Sequence, residues 1–245
     1  MLTPKINVED AMRQVVRTAG GRVLADSLSK DPGFDNADFV FDREKVILEL
    51  KCFEDDNVFS DGNRTKALDL WTRWNRKHLV SGPLPNELDW QELSRTHQID
   101  FIALHTRSIR GAVRKANRQI RETKAHLGLT DYQGMFMAAN NGITSVPPPW
   151  VIEGIRLNVQ RHHYTEIRHF IFLTANMVVA GGDRRTVHFP WVNFDLHEDG
   201  SMNTDLTDRL AAAWREQHRR LLGVPLKDDL PLALGDFFKT AFVPL

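Results

Sequence analysis

The stretch Asn36–Lys51, NADFVFDREKVILELK, decides the fold predicted for this chain. It contains two apolar runs, Phe39–Phe41 and Val46–Leu48, which are separated by the polar segment Asp42–Lys45. Short runs rich in β-branched and aromatic residues on either side of a polar turn predict a β-hairpin. Because both runs are apolar at every position, they are typical of strands that are buried on both faces of a sheet.

The register of this hairpin follows if Phe41 faces Val46 across the turn. Asp38 then lies directly opposite Glu49. Directly opposed residues share one face of a sheet, with Cβ atoms about 4.5–5.5 Å apart. Lys51 follows Glu49 by two residues, so the alternation of side chains along a strand places it on that face as well. Two carboxylates this close repel each other unless a cation lies between them, and oxygen ligands beside an ammonium group suit Mg²⁺ bound to a phosphate.

An aspartate followed after ten residues by Glu-x-Lys, at the end of a hydrophobic strand, resembles the active-site motif of the PD-(D/E)xK nuclease superfamily. The resemblance implies an α/β fold with a restriction-endonuclease-like αβββαβ core, in which helices flank a mixed central sheet. It also implies that Asp38 and Glu49 hold Mg²⁺ or Mn²⁺, with the Leu50 carbonyl as a further ligand, and that Lys51 serves the attacking water or the phosphate. Ala37 stands where the superfamily has proline. The alternative is a solvated hairpin end that carries a charge pair.

The composition predicts a folded protein of one domain. The chain has 245 residues, of which 42% are hydrophobic, and this suffices for one elaborated domain with a full core. The formal net charge is zero, but acids dominate residues 26–61 and later segments are basic. The single cysteine, Cys52, excludes an internal disulfide and a cysteine-based zinc site, and we expect a buried, unreactive thiol in a cytoplasmic protein. No signal-peptide core precedes the fold, and the apolar stretch 170–180 is too short and too polar to span a membrane.

Hydrophobic periodicity predicts the elements that precede the hairpin. Asn7 is expected to cap a helix from Val8 to about Ala19, whose apolar stripe has helical spacing. Arg22–Leu28 is the predicted first strand. Glu9 lies on the edge of the apolar stripe, and in the resembled superfamily an acid from the first helix sometimes joins the metal shell. The alternative for Glu9 is stabilisation of the helix dipole in the first turn.

The chain is expected to form a single domain, residues 1–245, that has three parts. These are a core (about 7–52 and 107–176), a helical insertion (about 64–105) and a C-terminal extension (about 189–245). In the insertion, Leu68, Trp71 and Trp74 have helical spacing, which favours packing over base stacking. The extension contains a strand-like WVNFDL segment and an amphipathic helix over Leu206–Leu222, in which Leu221 is expected to be buried.

Residues 108–127 combine an apolar stripe with a basic face, which predicts an amphipathic helix after the Glu-x-Lys strand. The cations predicted to contact nucleic acid are Arg114, Lys115, Arg118 and Arg121. A cationic face near the site attracts a phosphate backbone without reading the base sequence. The alternative is a solvated basic face that has no ligand.

Two further buried strands, Gly134–Ala139 and His169–Ala175, are predicted with a helix over Trp150–Gln160 between them. This alternation of helices and strands favours a sheet that is covered by helices on both faces. No Gly-rich phosphate loop of the GxGxxG or GxxxxGK[ST] type occurs, and no GxSxG elbow occurs. Nucleotide use through such loops and serine-hydrolase chemistry therefore have no support.

The sequence thus predicts a metal-dependent phosphodiesterase that hydrolyses nucleic acid, with DNA as the expected form, by in-line attack of water. The alternative from another class is a catalytically inactive nuclease-like fold that serves as a nucleic-acid or protein binding module. Cleavage of both strands of a duplex would require a homodimer, a partner subunit or two successive nicks. Restriction, phage defence and repair are equally compatible biological settings.

Overall fold

The computed structural model describes residues 5–29, 32–54, 61–82, 93–143, 148–180, 187–188, 190–196, 203–222 and 241–244. The helices are α1 (Val8–Thr18), α2 (Asp61–Arg76), α3 (Arg95–His105), α4 (Arg107–Leu127), α5 (Pro148–Arg161) and α6 (Thr204–Leu222). The strands are β1 (Arg22–Val23), β2 (Phe39–Phe41), β3 (Val46–Phe53), β4 (Gln133–Asn140), β5 (Ile167–Thr174), β6 (Met177–Ala180), β7 (Val187–His188), β8 (Trp191–Asp195) and β9 (Ala241–Pro244). The predicted α/β class, a mixed sheet flanked by helices, is confirmed.

The main sheet has six strands in the order β1-β2-β3-β4-β5-β8. The three central strands β3, β4 and β5 are parallel, and the remaining neighbours pair antiparallel. β4 and β5 are buried along almost their whole length, because helices cover both faces of a parallel sheet. A smaller sheet pairs β7, β6 and β9.

Two apolar clusters define the layers. On one face of the main sheet, which we call the α4 face, Val113 and Ile120 of α4 and Ile155 of α5 pack against the strands. On the other face, which we call the α1 face, Val16 of α1 and Trp214 of α6 do the same. Among the described residues, the sheet therefore lies between two helical layers.

The start of α1 agrees with the sequence. The Asn7 side chain accepts a hydrogen bond from Asp10 N at 3.2 Å and caps the helix. The predicted first strand, Arg22–Leu28, is wrong beyond Val23, because a 3₁₀ turn follows directly. β1 runs antiparallel to β2, which begins at Phe39, so β1 has no strand partner after this point.

Two apolar residues lie at the surface instead of in the core. Trp71 and Trp74 are buried as predicted, but Leu68 is 47% exposed, and Leu70 completes the stripe that faces α3. Leu221, in the last turn of α6, is 42% exposed, whereas Leu210 and Trp214 of the same helix are buried against the sheet. Parts of the predicted extension, residues 197–202 and 223–240, lie outside the described residues. None of the helices in the described ranges combines the length and the apolar character that crossing a bilayer requires.

Candidate functional site

The β2–β3 hairpin has the register predicted from the sequence. The last Cα pair of its ladder joins Phe39 to Leu48. β3 continues past this pair, and Asp38, the residue before β2, contacts the continuation with its side chain. The Asp38 Oδ2 atom accepts a hydrogen bond from the Leu50 N–H at 2.9 Å. This bond holds the Asp38 carboxylate against the edge of β3.

Glu49 and Lys51 lie on the α4 face of β3. Ile47, two residues before Glu49, packs in one cluster with Val113 and Ile120 of α4, and residues two apart in a strand share a face. The Lys51 Nζ atom donates a hydrogen bond to Glu49 Oε1. Glu49 is fully buried, whereas the Lys51 side chain retains 20% exposure. The lysine therefore separates a buried carboxylate from solvent.

The environment of Glu49 opposes its negative charge. Burial raises its pKa from 4.5 to about 8, the nearby Asp38 carboxylate raises it as well, and Lys51 lowers it. The Oε2 atom of Glu49 is buried and has no hydrogen-bond partner among the described residues. A buried acceptor left unsatisfied costs about 1–3 kcal/mol, and more when it is charged. The structure thus brings Asp38, Glu49 and Lys51 together around an acceptor that a cation would stabilise.

Buried side chains of α4 fix the backbone that leads into Asp38. The Gln119 Nε2 atom donates a hydrogen bond to Asn36 O at 2.7 Å. The Ala37 N–H donates to Thr123 Oγ1 at 2.8 Å. Both helix residues are buried, so neither bond competes with water. The sequence did not single out Gln119 or Thr123 for this role. The available signal was that both are polar residues on the apolar side of an amphipathic helix.

Only part of the predicted nucleic-acid surface faces solvent freely. Arg118 pairs with Asp35, and Glu122 on the same helix accepts a hydrogen bond from Asp35 N at 3.0 Å. Arg118 therefore helps to hold the loop before Asp38. The other three predicted contacts are exposed and have no ion-pair partner in the described part of the chain: Arg114, Lys115 and Arg121.

Asp38 and Lys51 line a cavity of about 760 Å³, which we call the Asp38 cavity. Glu9 of α1 and Glu54, the residue after β3, line it too. Because α1 covers the face opposite to α4, Glu9 approaches from the other side of β3. Glu9 therefore shares the cavity with Asp38 and Lys51 but is not on the face that carries Glu49.

Cys52 lies on the α1 face of β3, opposite to Lys51, as the alternation of side chains predicts. It is half-buried and not fully buried as expected, because it also lines the Asp38 cavity. Burial raises the pKa of the thiol to about 12, and the charges of Glu9, Glu54 and Asp38 raise it as well. The thiol is therefore protonated at neutral pH.

Glu54 is a cavity residue that the sequence reasoning missed. Its Oε1 atom accepts a hydrogen bond from Asn141 Nδ2 at 3.2 Å. A Cβ atom on Gly142 would lie 1.8 Å from the Glu54 carbonyl oxygen, so only glycine fits at this contact. Glu54 and Asn141 follow the parallel strands β3 and β4, and open α/β sheets bind ligands at the carboxyl ends of such strands. An acid placed directly after a buried strand was the available signal.

The donor atoms near Asp38 form an open set and not a closed metal cage. Within the described ranges, no group of three or more His, Cys, Asp or Glu side chains could hold a metal ion. Asp38 and Glu49 provide two carboxylates, and the free Glu49 Oε2 lacks a partner. The Leu50 N–H points to Asp38, and the carbonyl of a strand residue points to the same side as its N–H. Mg²⁺ typically uses one or two carboxylates together with waters and substrate phosphates, so these donors fit that ion.

No protein-family model, no curated protein and no solved structure matches this chain.

Proposed function

We propose that this protein is a nuclease of the PD-(D/E)xK type, with a restriction-endonuclease-like core, that uses Mg²⁺ or Mn²⁺ to hydrolyse phosphodiester bonds in DNA. The observation that carries the proposal is the buried Glu49, whose Oε2 atom has no hydrogen-bond partner among the described residues although Asp38 and Lys51 adjoin it. A divalent cation between the two carboxylates would remove their repulsion and satisfy this oxygen.

The three side chains have separate roles in this proposal. Asp38 and Glu49 would hold the ion, with the Leu50 carbonyl as a further ligand. When bound, the ion would polarise the phosphate and lower the pKa of water. Lys51 lies at the solvent boundary of the site, so its ammonium group is placed to orient the attacking water and to offset charge that develops on the phosphate. The Leu50 N–H keeps Asp38 in place throughout.

The exposed cations of α4 support binding of a phosphate backbone. Arg114, Lys115 and Arg121 lie on the helix that positions the loop before Asp38. Contacts from such side chains to phosphates fix the position of a nucleic acid without reading its sequence. Affinity that depends on them falls as salt concentration rises, because counterions released on binding gain less entropy in a more concentrated salt solution.

The test is incubation of the wild type and the Lys51→Ala variant with supercoiled plasmid and with end-labelled DNA and RNA oligonucleotides. Each reaction contains Mg²⁺, Mn²⁺ or EDTA. Lys45→Ala is the matched control, because Lys45 belongs to the turn of the same hairpin and pairs with Asp131 at the surface. We expect metal-dependent cleavage of DNA by the wild type and by Lys45→Ala, with a loss of at least about a hundredfold in Lys51→Ala.

The plasmid and the end-labelled oligonucleotides also distinguish endonuclease from exonuclease action. Metal-insensitive binding without cleavage, equal in wild type and Lys51→Ala, would contradict the nuclease and identify a binding module. The open donor set, which contains two side-chain carboxylates and no larger group within the described residues, is the observation that favours this second function.

A further inference from the structure

A second cavity lies in the helical layer on the α4 face. It has a volume of about 760 Å³ and is formed by residues of α2, α3, α4 and the end of α5. Five cationic side chains line it: Lys66, Arg73, Arg76, Arg110 and Arg161. Two acids, Asp69 and Asp100, also line it. We call it the basic cavity, and none of its lining residues lines the Asp38 cavity.

The cations converge from helices that are distant in sequence. Lys66, Arg73 and Arg76 follow one another on α2 at spacings of seven and three residues, which places them on one side of the helix. Arg110 comes from the first turn of α4, and Arg161 is the last residue of α5. The positive charge of the cavity is therefore a product of packing and is not visible in any one segment.

These cations lack the acidic partners that other arginines of the same layer have. Arg95 and Arg156 share Glu153, with distances of 2.8 Å and 2.7 Å. Arg118 pairs with Asp35. In the part of the chain that the structure describes, no ion pair joins any of the five cavity cations to an acid. The five cations and two acids leave three uncompensated positive charges around one cavity.

The floor of the basic cavity is apolar. Leu70 of α2 and Leu157 of α5 line it and are buried. The Asn158 Nδ2 atom donates to Gly154 O at 2.7 Å, so this polar group is already engaged. Exposed ammonium and guanidinium groups around an apolar floor suit a ligand that has both anionic groups and an uncharged organic body.

The titration of His162, on the wall of the cavity, agrees with a positive potential there. Partial burial lowers the pKa of His162, and the positive charges of Arg110, Arg161 and His163 lower it as well. A cation in a cavity of like charge is disfavoured, and an anion is favoured for the same reason.

We propose that the basic cavity binds a ligand in which two or more phosphate groups are attached to nucleosides. The excess of three positive charges exceeds what one phosphate monoester, with about two negative charges, would neutralise. The volume suits a ligand of nucleotide size. The same chemistry is present in a free nucleoside triphosphate and in consecutive nucleotides of a strand. Side chains would hold the phosphates here, in a chain whose sequence has no Gly-rich phosphate loop.

Binding is measured by calorimetry with ATP, and by fluorescence anisotropy with a labelled 12-nucleotide single strand. Inorganic phosphate is the single-phosphate probe. All titrations use the full chain in EDTA, so that cleavage does not occur and the result does not depend on the Asp38 site. The loss variant is the double substitution Arg73→Gln with Arg161→Gln. Arg43→Gln is the matched control, because Arg43 is 80% exposed at the hairpin turn.

The gain variant Asp100→Asn removes one negative charge from the cavity wall. We expect it to strengthen binding of at least one of the two nucleotide probes about threefold to tenfold. We expect the double variant to weaken binding of that probe at least tenfold, and Arg43→Gln to leave it unchanged. Because a misfolded protein does not bind more tightly, the gain variant keeps the test decisive even where the double variant fails to fold.

Binding of ATP alone that the two cavity variants change assigns a free nucleotide to the cavity. Binding of the strand alone that the same variants change assigns a nucleic-acid path through the cavity, since the exposed cations of α4 are intact in both variants. Either result supports the proposal. Equal affinities of Asp100→Asn, the double variant and Arg43→Gln for both probes would overturn it, as would phosphate binding as tight as that of ATP. Loss of nuclease activity in other experiments leaves these outcomes unaffected.

Discussion

The Asp38 cavity and the basic cavity have the same volume, about 760 Å³, but are built in opposite ways. One hairpin supplies Asp38 and Lys51 to the lining of the Asp38 cavity, and strand register places the buried Glu49 beside them. The basic cavity comes from four helices, and its cations are separated by up to 95 residues, from Lys66 to Arg161. One depends on local pairing, and the other depends on long-range packing.

The two cavities also differ in how deeply their charged groups are buried. Beside the Asp38 cavity the Glu49 carboxyl group is fully buried, and its pKa is strongly raised. At the basic cavity the five cations are exposed, and their number and closeness are the unusual feature. Perturbed buried groups are typical of chemical sites, and clustered exposed charges are typical of binding sites. This difference supports the proposed chemistry at the first cavity and the proposed ligand binding at the second.

The largest expected effect on activity tests whether the chemistry resides in the hairpin. Asp38→Asn and Glu49→Gln should each lower metal-dependent DNA cleavage about a thousandfold, since the loss of one ligand removes about 4 kcal/mol of transition-state stabilisation. Glu9→Gln should lower it only a few-fold, because Glu9 approaches the cavity from the other face of the sheet. Rates are measured with a fluorogenic duplex at saturating Mg²⁺. A loss in Glu9→Gln equal to that in Asp38→Asn would place Glu9 in the metal shell.

The second prediction concerns the buried charge itself. The pKa of Glu49 is raised in the folded state to about 8. The folded state therefore binds more protons than the unfolded state between pH 4.5 and 8, and stability decreases as pH rises through this window. Without divalent cations, Glu49→Gln should remove this pH-dependent loss, which amounts to as much as about 5 kcal/mol above pH 8.

Urea unfolding from pH 4 to pH 9, in the presence of EDTA, measures this difference. The gap in unfolding free energy between Glu49→Gln and wild type should widen with pH and then level off. Addition of Mg²⁺ should stabilise the wild type more than the variant. A gap that stays constant across the whole range would mean that Glu49 titrates normally.

The third prediction compares two glycines, one packed against the cavity residue Glu54 and one next to the cavity residue Arg110. Gly142→Ala should destabilise the protein by about 3 kcal/mol or more, because the new Cβ would meet the Glu54 backbone. Gly111→Ala, next to Arg110 in α4, should be neutral or stabilising by up to about 1 kcal/mol, since no atom lies within 4 Å of the new Cβ. Thermal unfolding followed by circular dichroism measures both. Equal destabilisation would show that the two walls are equally tightly packed.

The smallest expected effect tests the support that α4 gives to the hairpin. Thr123→Val leaves the buried Ala37 N–H without its acceptor and should cost about 1–2 kcal/mol of stability. The same change should lower cleavage about tenfold, because the backbone before Asp38 is no longer held. Thr123→Ser, which keeps the hydroxyl group, should retain most of both properties. An active, stable Thr123→Val variant would mean that the hairpin holds Asp38 unaided.

Much of the fold could be predicted from the sequence. The cap at Asn7, the hairpin register and the extent of α4 are local features, so residues near in sequence decide them. Predictions failed where a distant partner decides the outcome. β1 gives way to a 3₁₀ turn after Val23, and Leu221 is exposed although Leu210 and Trp214 of the same helix are buried.

At the candidate site, too, the residues placed by local pattern could be predicted, and those placed by long-range contacts could not. Strand alternation and turn position placed Asp38, Glu49 and Lys51 together, since side chains two residues apart share a face and cross-strand partners lie opposite each other. Gln119 and Thr123 escaped prediction because their role depends on which backbone α4 meets in the folded state. Glu54 and Glu9 reach the Asp38 cavity only when the sheet and α1 are assembled.

By itself, the sequence determined the alternation of helices and strands, the pairing of the hairpin and the identity of the acid and lysine side chains at its end. Those features follow from short-range periodicity and turn chemistry. Tertiary structure alone decided that Glu49 is sealed from water with a free oxygen, and that five cations from three helices surround one cavity. Burial and long-range electrostatics depend on which surfaces meet, and no local pattern contains that information.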